Sequence, residues 1–469
     1  MTPGADELCV FAVKRGEVEE RCDVNYNHPK YRALVDSLIT LFGNRFKTIG
    51  EIADVICGPF GTAITQNDYT EVGLPLLRIT NITKHGFLDC TDMKYINKDC
   101  ADRLARMQVS AGDIVISQRG TLGQCAVVDN TYPLFNISAN LIAVKNIKGT
   151  NAEYVRNYLL SPIGVALLQR TQSGQVQGKI TTQDIEDMPI PVISNPSKLN
   201  KVIDNAYDAY TMKRREADTL LAGMDGFVRE IIGLPEEDKT RSMLFAVKIS
   251  HKDAGRIDPE FHNPFYQHRI KRIKEMNHDT LGNIIEFSSE TWNQKSDFEG
   301  TFPYIEISGV GLKTNEYEIT QTPVAEAPSR AKMIVRNGDI IVSTTRPHRG
   351  AIATINCNDG YYIASTGFCV LRKMKRNDIS PEYLQWVLLN DYVLQQFLQR
   401  SSGGNYPAII QDEMKKVVIP IPDKDIQNKI VKEAIHRKSN AHQLKREAEA
   451  EWAAAKTTFE QELLGGMDK

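Results

Sequence analysis

Two stretches of this chain concentrate side chains with forked or paired hydrogen-bonding groups. "SQRGTLGQ" carries Gln118, Arg119, Thr121 and Gln124, and "STTRPHRG" carries Thr344, Thr345, Arg346, His348 and Arg349. Such groups on loops suit the donor and acceptor edges that nucleic-acid bases present in the major groove. A solvated hairpin with surface charges uses the same residue types, and Arg119 could instead close a structural ion pair. Arg330 to Arg349 holds five Lys or Arg against one Asp, a locally basic segment. Two glycine-rich loops come next. "SGQVQGK" offers backbone N–H groups with Gln175, Gln177 and Lys179, and "SSGGNYP" offers Ser402, Asn405 and Tyr406. Phosphate or base contact and a plain flexible connector are both open readings of these loops. Asn81, Lys84 and His85 form a further candidate group after a strand. "HRIKRIK", with four cations in six residues from Arg269, reads first as a solvated helix face and second as a phosphate-positioning element.

Motifs for covalent or nucleotide chemistry fail on inspection. "GQVQGKI" at Gly174 has one residue too few between its glycines for a phosphate-binding loop, and Ile180 stands where Ser or Thr is required. "GVGLKT" at Gly309 lacks the third glycine of a dinucleotide fingerprint. There is no G-x-S-x-G and no H-E-x-x-H, and no carboxylate cluster stands out. The eight cysteines include no C-x-x-C pair, which suits buried, reduced thiols in a cytosol. No metal site is expected. No apolar run approaches the eighteen or so residues of a membrane span, and the start, "MTPGADELCVF", has no secretory pattern. A cytoplasmic protein without a membrane partner is therefore expected. Net charge is −2, whereas a protein holding DNA by charge alone would be basic, so any positive surface must be local.

The elements that position these groups occur twice. "RCDVNYNHPKY" at Arg21 answers "RIDPEFHNPFY" at Arg256 at an offset of 235; "GDIV" at Gly112 answers "GDII" at Gly338 at 226. "AEYVRNYLLS", "MPIPV" and "FVREIIG" answer "PEYLQWVLLN", "IPIPD" and "FEQELLG" at 229, 231 and 232. The chain is a tandem duplication of about 230 residues, a period that must be sought before any element is assigned. Scaffold residues should persist between repeats and readers should differ. "GDIV" and "GDII" therefore read as fold, and the unlike stretches after them as candidate readers.

Each half begins with short Val- and Ile-rich strands: "LPLLRITNI", "GDIVISQ", "CAVVD" and "NLIAVKN", then "FPYIEISGV", "GDIIVSTT", "GAIATIN" and "GFCVLRK". One amphipathic helix follows, "NAEYVRNYLLSPIGVALLQRT" or "SPEYLQWVLLNDYVLQQFLQRS", the second opening on a Ser380 cap and Pro381. After the glycine-rich loop comes a double-proline strand. Each half closes with a long helix whose apolar stripe, such as Ala441, Leu444, Ala448, Trp452, Ala455, Phe459 and Leu463, has coiled-coil-like spacing. Each helix would be roughly 50 Å long. Neither stripe fits within a compact lobe, so the two helices are expected to pack antiparallel on each other. The predicted fold is α+β: lobe 1 over 1–195, spacer helix 1 over 196–236, lobe 2 over 237–422 and spacer helix 2 over 423–469.

This ordered set resembles the specificity (S) subunit of a type I restriction–modification enzyme. The resemblance covers almost the whole chain. It rests on the lobe–helix–lobe–helix duplication, "GPFGTAI" at Gly58, the two "GDI" turns, "SQRGTLG" and the "IPIP"-like strand before each long helix. It implies that each lobe is a target recognition domain reading one half of a bipartite double-stranded DNA site. It also implies that the helices set the gap and dock two methyltransferase (M) subunits, and that motor-nuclease (R) subunits join for restriction. S-adenosylmethionine, ATP and Mg would then sit on partner subunits, with no cofactor in this chain and no chemistry of its own. In agreement, the closest approach to the [DNS]-P-P-[FYW] motif of adenine-N6 methylation is "NPFY" at Asn263, which lacks the second proline and reads as a structural turn. Unlike readers in the two lobes imply unlike half-sites. The competing expectations are a non-DNA-binding adaptor that holds protein partners, and an enzyme with an unrecognised site.

Overall fold

The computed structural model describes residues 11–12, 22–119, 123–171, 179–236, 244–246, 256, 258–358 and 360–465. It divides into two compact units, Met1–Lys213 with Arg446–Lys469 and Arg214–Lys445. Each unit is one lobe together with one end of both long helices.

In lobe 1 a four-stranded antiparallel sheet runs in the order Asp54–Cys57, Leu141–Lys145, Ile114–Ser117, Cys125–Val127. In lobe 2 the order is Ile285–Ser288, Phe368–Met374, Ile340–Ser343, Ile352–Thr354. Side chains alternate across a strand, and here both faces are buried. Ile114, Ile116, Ile142 and Val144 face the helices, whereas Val115 and Ala143 face a second sheet. Lobe 2 repeats this: Ile340, Val342 and Leu371 face helices, and Ile341 and Val370 face the second sheet. Helices, sheet and sheet form three layers with a core between each adjacent pair, and a further apolar cluster lies on the far face of the second sheet, around Leu76 and Ile96 in lobe 1 and Trp292 and Phe302 in lobe 2. The second sheet contains a parallel pair in each lobe, Leu74–Leu77 with Phe135–Ile137 and Thr301–Ile305 with Tyr362–Ser365. The double-proline strands, Pro189–Pro191 and Val418–Pro420, each pair with one short strand only, as proline's missing N–H requires.

The shared "GDI" turns are scaffold. Gly112 and Gly338 take φ values of 90° and 83°, a region that favours glycine. The next residue, Asp113 or Asp339, is buried and accepts the N–H of Ser110 (2.9 Å) or Arg336 (2.8 Å). A cation from the neighbouring strand meets each carboxylate, Lys145 at 3.9 Å and Arg372 at 2.9 Å. "NPFY" is also a structural turn: Asn263 caps the helix Pro264–Lys274 by accepting from Phe265 N at 3.1 Å. On that helix His268, Lys271 and Lys274 are exposed, but Arg269 is buried with its guanidinium 3.7 Å from the Phe265 ring.

Two expectations are corrected. The single amphipathic helix of each half is a helix pair, Ala152–Leu160 with Pro162–Arg170, and Pro381–Val387 with Asp391–Arg400. Pro162 cannot continue the first helix, and Ser161 caps the second by accepting from Gly164 N at 3.2 Å. In lobe 2 Asn390 makes the break, accepting from Tyr392 N at 3.2 Å. Ser380 and Pro381 do open their helix, with Ser380 Oγ accepting from Tyr383 N at 3.1 Å.

The second correction concerns the long helices, Ser197–Ile231 and Lys424–Gly465. Their stripes do enter the lobes. Leu199, Ile203, Trp452 and Phe459 belong to the lobe 1 core, and Met224, Val228, Ile430 and Ala434 to the lobe 2 core. Among the described residues, only Ala217, Leu221 and Ala441, with Leu444, form a patch made of the helices alone. Each helix end therefore buries its apolar residues in two directions, at about 1.5–3 kcal/mol per large side chain. Within each unit the helices run antiparallel: Lys198 meets Glu462 and Lys213 meets Glu447 in the first, and Gly223 lies against Arg437 and Asp218 near Lys445 in the second.

Of the described cysteines, Cys100, Cys125, Cys357 and Cys369 are buried, but Cys22 and Cys57 are exposed. Burial pushes the Cys125 and Cys369 thiols up to about 12, so neither is a reactive thiolate. Among the described residues no helix is long and apolar enough to cross a membrane, and no group of three His, Cys, Asp or Glu could hold a metal ion.

Candidate nucleic-acid interface

Backbone bonds bring the segment after the "GDI" strand together with the segment that follows the glycine-rich loop in both lobes. In lobe 1 Gln118 N donates to Asn140 O at 2.9 Å, and Gln118 O accepts from Ile180 N at 3.1 Å. In lobe 2 Thr344 N donates to Gly367 O at 2.8 Å, and Thr344 O accepts from Ile409 N at 2.9 Å. The strand that leaves the "GDI" turn thus delivers its loop to the same topological place twice. Three segments meet there in each lobe, although they lie far apart in sequence.

Lobe 2 shows the junction most fully. Thr345 bridges Ala408, and Arg346 N donates to Pro407 O at 2.7 Å. Arg346 Nη2 donates to Asn405 O at 3.0 Å, and its guanidinium lies 4.2 Å from the centre of the Tyr406 ring. Arg346 takes φ 48° and ψ 49°, a left-handed conformation that is costly for a residue with a Cβ. The neighbouring loop holds it there. The half-buried arginine and the Tyr406 ring, which is 69% exposed, form a cation–aromatic pair. Thr345, Arg349, Ser402 and Asn405 are exposed on the same loops, and His348 is half-buried. Thr344 turns inward, its Oγ1 donating to Gly367 O at 3.0 Å. Arg336 of the basic segment is paired with Glu290 at 2.6 Å, so it adds less positive field than the sequence suggests. Arg336 and Arg372 hold the Glu290 carboxyl below its ordinary value.

In lobe 1 Arg119 and Lys179 are exposed at the junction. Thr121, Gln175 and Gln177 lie outside the described residues. Of the other candidates, Gln118, Gln124 and Asn81 turn inward, whereas Lys84 is exposed and pairs with a helix. Gln118 is buried and its Nε2 donates to Cys57 Sγ at 2.8 Å; Gln124 Nε2 donates to Ile82 O. Asn81 is buried, accepting from Arg78 N at 3.1 Å and donating to Asp89 O at 3.0 Å, which shapes its own turn. Lys84 Nζ lies 2.7 Å from Glu449 Oε1 on the second long helix, and His85 packs among aromatic rings. The structure thus gathers Arg119 and Lys179 in lobe 1, and Thr345, Arg346, Arg349, Asn405 and Tyr406 in lobe 2, but not Asn81 or Lys84.

Two exposed apolar residues join the junctions without having been singled out. Ile410, 65% exposed, follows the Ile409 link. Phe60, 90% exposed, follows Gly58, whose N donates to Leu141 O and where a Cβ would lie 2.1 Å from Ser138 O. For Phe60 the signal was a large apolar residue between Pro59 and Gly61; Ile410, beside the buried Ile409, carried none.

The family model for the type I restriction modification DNA specificity domain matches twice, at residues 43–201 and 273–446. The chain belongs to this family. One match falls on each half of the duplication, and the second runs on into the second long helix. A curated relative, the type I restriction enzyme HindI specificity subunit of Haemophilus influenzae, is 31% identical over 110 residues. That match covers 23% of this chain and about a quarter (24%) of the relative's length. Among solved structures, the S subunit of the type I system from M. genitalium aligns over 88% of this chain and 94% of its own, with 14% identity and a TM-score of 0.36. The HsdS subunit from Thermoanaerobacter tengcongensis aligns over 90% and 95%, with 16% identity and a TM-score of 0.30.

Proposed function

We propose that this specificity chain reads a two-part, asymmetric sequence in double-stranded DNA, one half with each lobe, and performs no chemistry itself. The observation that carries this reading is the duplicated loop junction. The same backbone links recur in both lobes, yet they present Arg119 and Lys179 in one and Arg346, Asn405 and Tyr406 in the other. A repeated frame with unlike contents is what two different half-sites require. Arginine reaching guanine edges or phosphates, and an aromatic face for a base or sugar, are the interactions these groups make well. The long helices would set the gap and dock two adenine-N6 methyltransferase subunits, and motor-nuclease subunits would complete a restricting complex. S-adenosylmethionine, ATP and Mg would be held by those partners, in the cytoplasm, as part of a defence against phage DNA.

The test is a genome-wide map of N6-methyladenine in the source cell with this gene intact and deleted. One two-part motif with a fixed gap should lose its methylation on deletion. An unchanged map, together with no motif enriched from a random DNA library by the purified complex, would favour the adaptor reading instead.

A further inference from the structure

In each lobe the loop after the first strand of the parallel pair meets the long helices. In lobe 1 this loop is Asn81–Leu88. His85 lies buried with its ring 4.1 Å from Tyr210 and 5.1 Å from Trp452, and Phe87 stacks on Tyr207 at 3.5 Å. At its edge Lys84 Nζ meets Glu449 Oε1 at 2.7 Å, and Tyr210 Oη donates to the same oxygen at 3.2 Å. In lobe 2 the loop is Gly309–Glu318. Glu316 meets His442 Nε2 at 2.8 Å and Lys445 Nζ at 3.3 Å, and Lys438 Nζ donates to Asn315 O at 2.8 Å. Asn315 takes φ 55° and is tied back to its lobe, with Nδ2 donating to Gln385 Oε1 at 2.9 Å and Oδ1 accepting from Thr354 N at 2.7 Å.

These are the same seat built twice with opposite polarity. The offset of 232 that aligns Phe227 with Phe459 also aligns Tyr210 with His442. In the first seat the lobe brings a cation and the helix a carboxylate. In the second the lobe brings a carboxylate and the helix brings cations. Further polar contacts tie each lobe to the outer turns of its helices: Arg156 Nη2 with Asp204 at 3.5 Å and Asn157 Nδ2 donating to Asn200 Oδ1 at 3.1 Å in lobe 1, and Asp391 N donating to Asp225 Oδ1 at 2.6 Å and Ser380 N to Gln427 Oε1 at 2.9 Å in lobe 2. Apolar packing is non-directional, whereas charge-assisted hydrogen bonds fix an orientation. A lobe tied at the outer turns alone can rock about them, which moves its candidate reading loops.

We propose that Lys84 with Glu449, and Glu316 with His442 and Lys445, are positioning residues that fix the orientation of each lobe on its helix ends, and that their inverted charges make the two seats non-interchangeable. This rests on the reading of the lobes as half-site readers. Lys84 placed against Lys445, or Glu316 against Glu449, would face like charge. Exposed pairs add little stability, so their effect belongs to geometry: they sharpen the gap between half-sites without touching DNA.

The test uses the complex assembled with its methyltransferase partner and a DNA library in which both half-sites are kept and the gap is varied. K84E should raise methylation at gaps one base pair from the preferred length at least threefold relative to the preferred one, with base preferences inside each half unchanged. K84Q should do so more weakly, and K84E/E449K should restore the original gap preference. E316K and E316K/K445E form the matching set for lobe 2. An unchanged gap preference in K84E and E316K, or no recovery in the double variants, overturns the proposal. Hydrogen exchange on the chain alone checks the seat independently of any DNA reading. K84E should exchange faster across Asn81–Leu88 and K84E/E449K should not; equal exchange in all three overturns it. If the wild-type complex methylates no two-part motif while exchange behaves as expected, the functional reading has failed and the seat has not.

Discussion

Arg346 shows what a single residue reports. Its left-handed backbone is a local cost, and its partners on the glycine-rich loop hold it in place. Arg346→Ala and Tyr406→Ala should each weaken binding of the complex by about 1–3 kcal/mol, roughly five- to 150-fold, with discrimination relaxed only in the lobe 2 half-site. Arg119→Ala should act on the other half. Titrations against DNA variants mismatched in one half at a time separate these effects, and a uniform loss across both halves would argue for mere destabilisation. Gln118 behaves otherwise. Its carboxamide is engaged inside the lobe, so Gln118→Ala should lower the stability of lobe 1 rather than change base preference. Residue type alone could name these candidates but could not tell inward from outward. Gln118 and Arg119 are adjacent in sequence, and a strand end turns them to opposite sides.

At the scale of elements, the repeat keeps its struts. Tyr154 Oη donates to Pro191 O at 2.7 Å and Tyr383 Oη to Pro420 O at 2.9 Å, tying each amphipathic helix to its double-proline strand. Both tyrosines are buried, and burial holds both hydroxyls protonated. Tyr154→Phe and Tyr383→Phe each leave a carbonyl without its donor, and should cost about 1–3 kcal/mol in urea unfolding followed lobe by lobe. The helix seats predict an acid response. Burial pushes the Glu316 carboxyl up, but Lys445 and His442 outweigh it and hold it below its ordinary value of 4.5. Glu449 follows the same pattern, with Lys84 and Tyr210 outweighing burial. A carboxyl whose folded value is lowered stabilises the fold above its unfolded value, and that stabilisation disappears as pH falls through the folded one. Exchange at Asn81–Leu88 and Gly309–Glu318 should therefore accelerate below about pH 4.5, beyond the intrinsic pH dependence, and E316Q and E449Q should abolish the extra acceleration in their own loops.

For the whole molecule the governing number is the net charge of −2. Counterion release from phosphates supplies much of DNA affinity, and it needs clustered cations. Several cations are committed internally: Arg336 and Arg372 to Glu290, Arg376 to Asp279 and Asp378, and Lys213 to Glu447 and Glu451. The chain alone should therefore bind its target more weakly than about 1 μM in physiological salt, near the range of non-specific binding, and addition of the proposed methyltransferase partner should tighten it at least about tenfold. Fluorescence anisotropy with and without the partner measures this directly; nanomolar binding by the lone chain would contradict it.

The sequence by itself determined the duplication, the identity of the strands and long helices, and the scaffold role of the "GDI" turns. Those features are local or periodic. An apolar residue every second or every third to fourth position, and a glycine before a turn aspartate, carry their meaning without reference to distant parts of the chain. Only the tertiary structure decided that the helix stripes enter the lobe cores, that Lys84 serves a helix seat, and that the reader loop and the glycine-rich loop become one junction. Each of those depends on contacts between residues tens to hundreds of positions apart, such as Lys84 with Glu449 or Arg346 with Asn405. Side chains of one type serve a surface or an ion pair equally well, and what faces them is settled by packing.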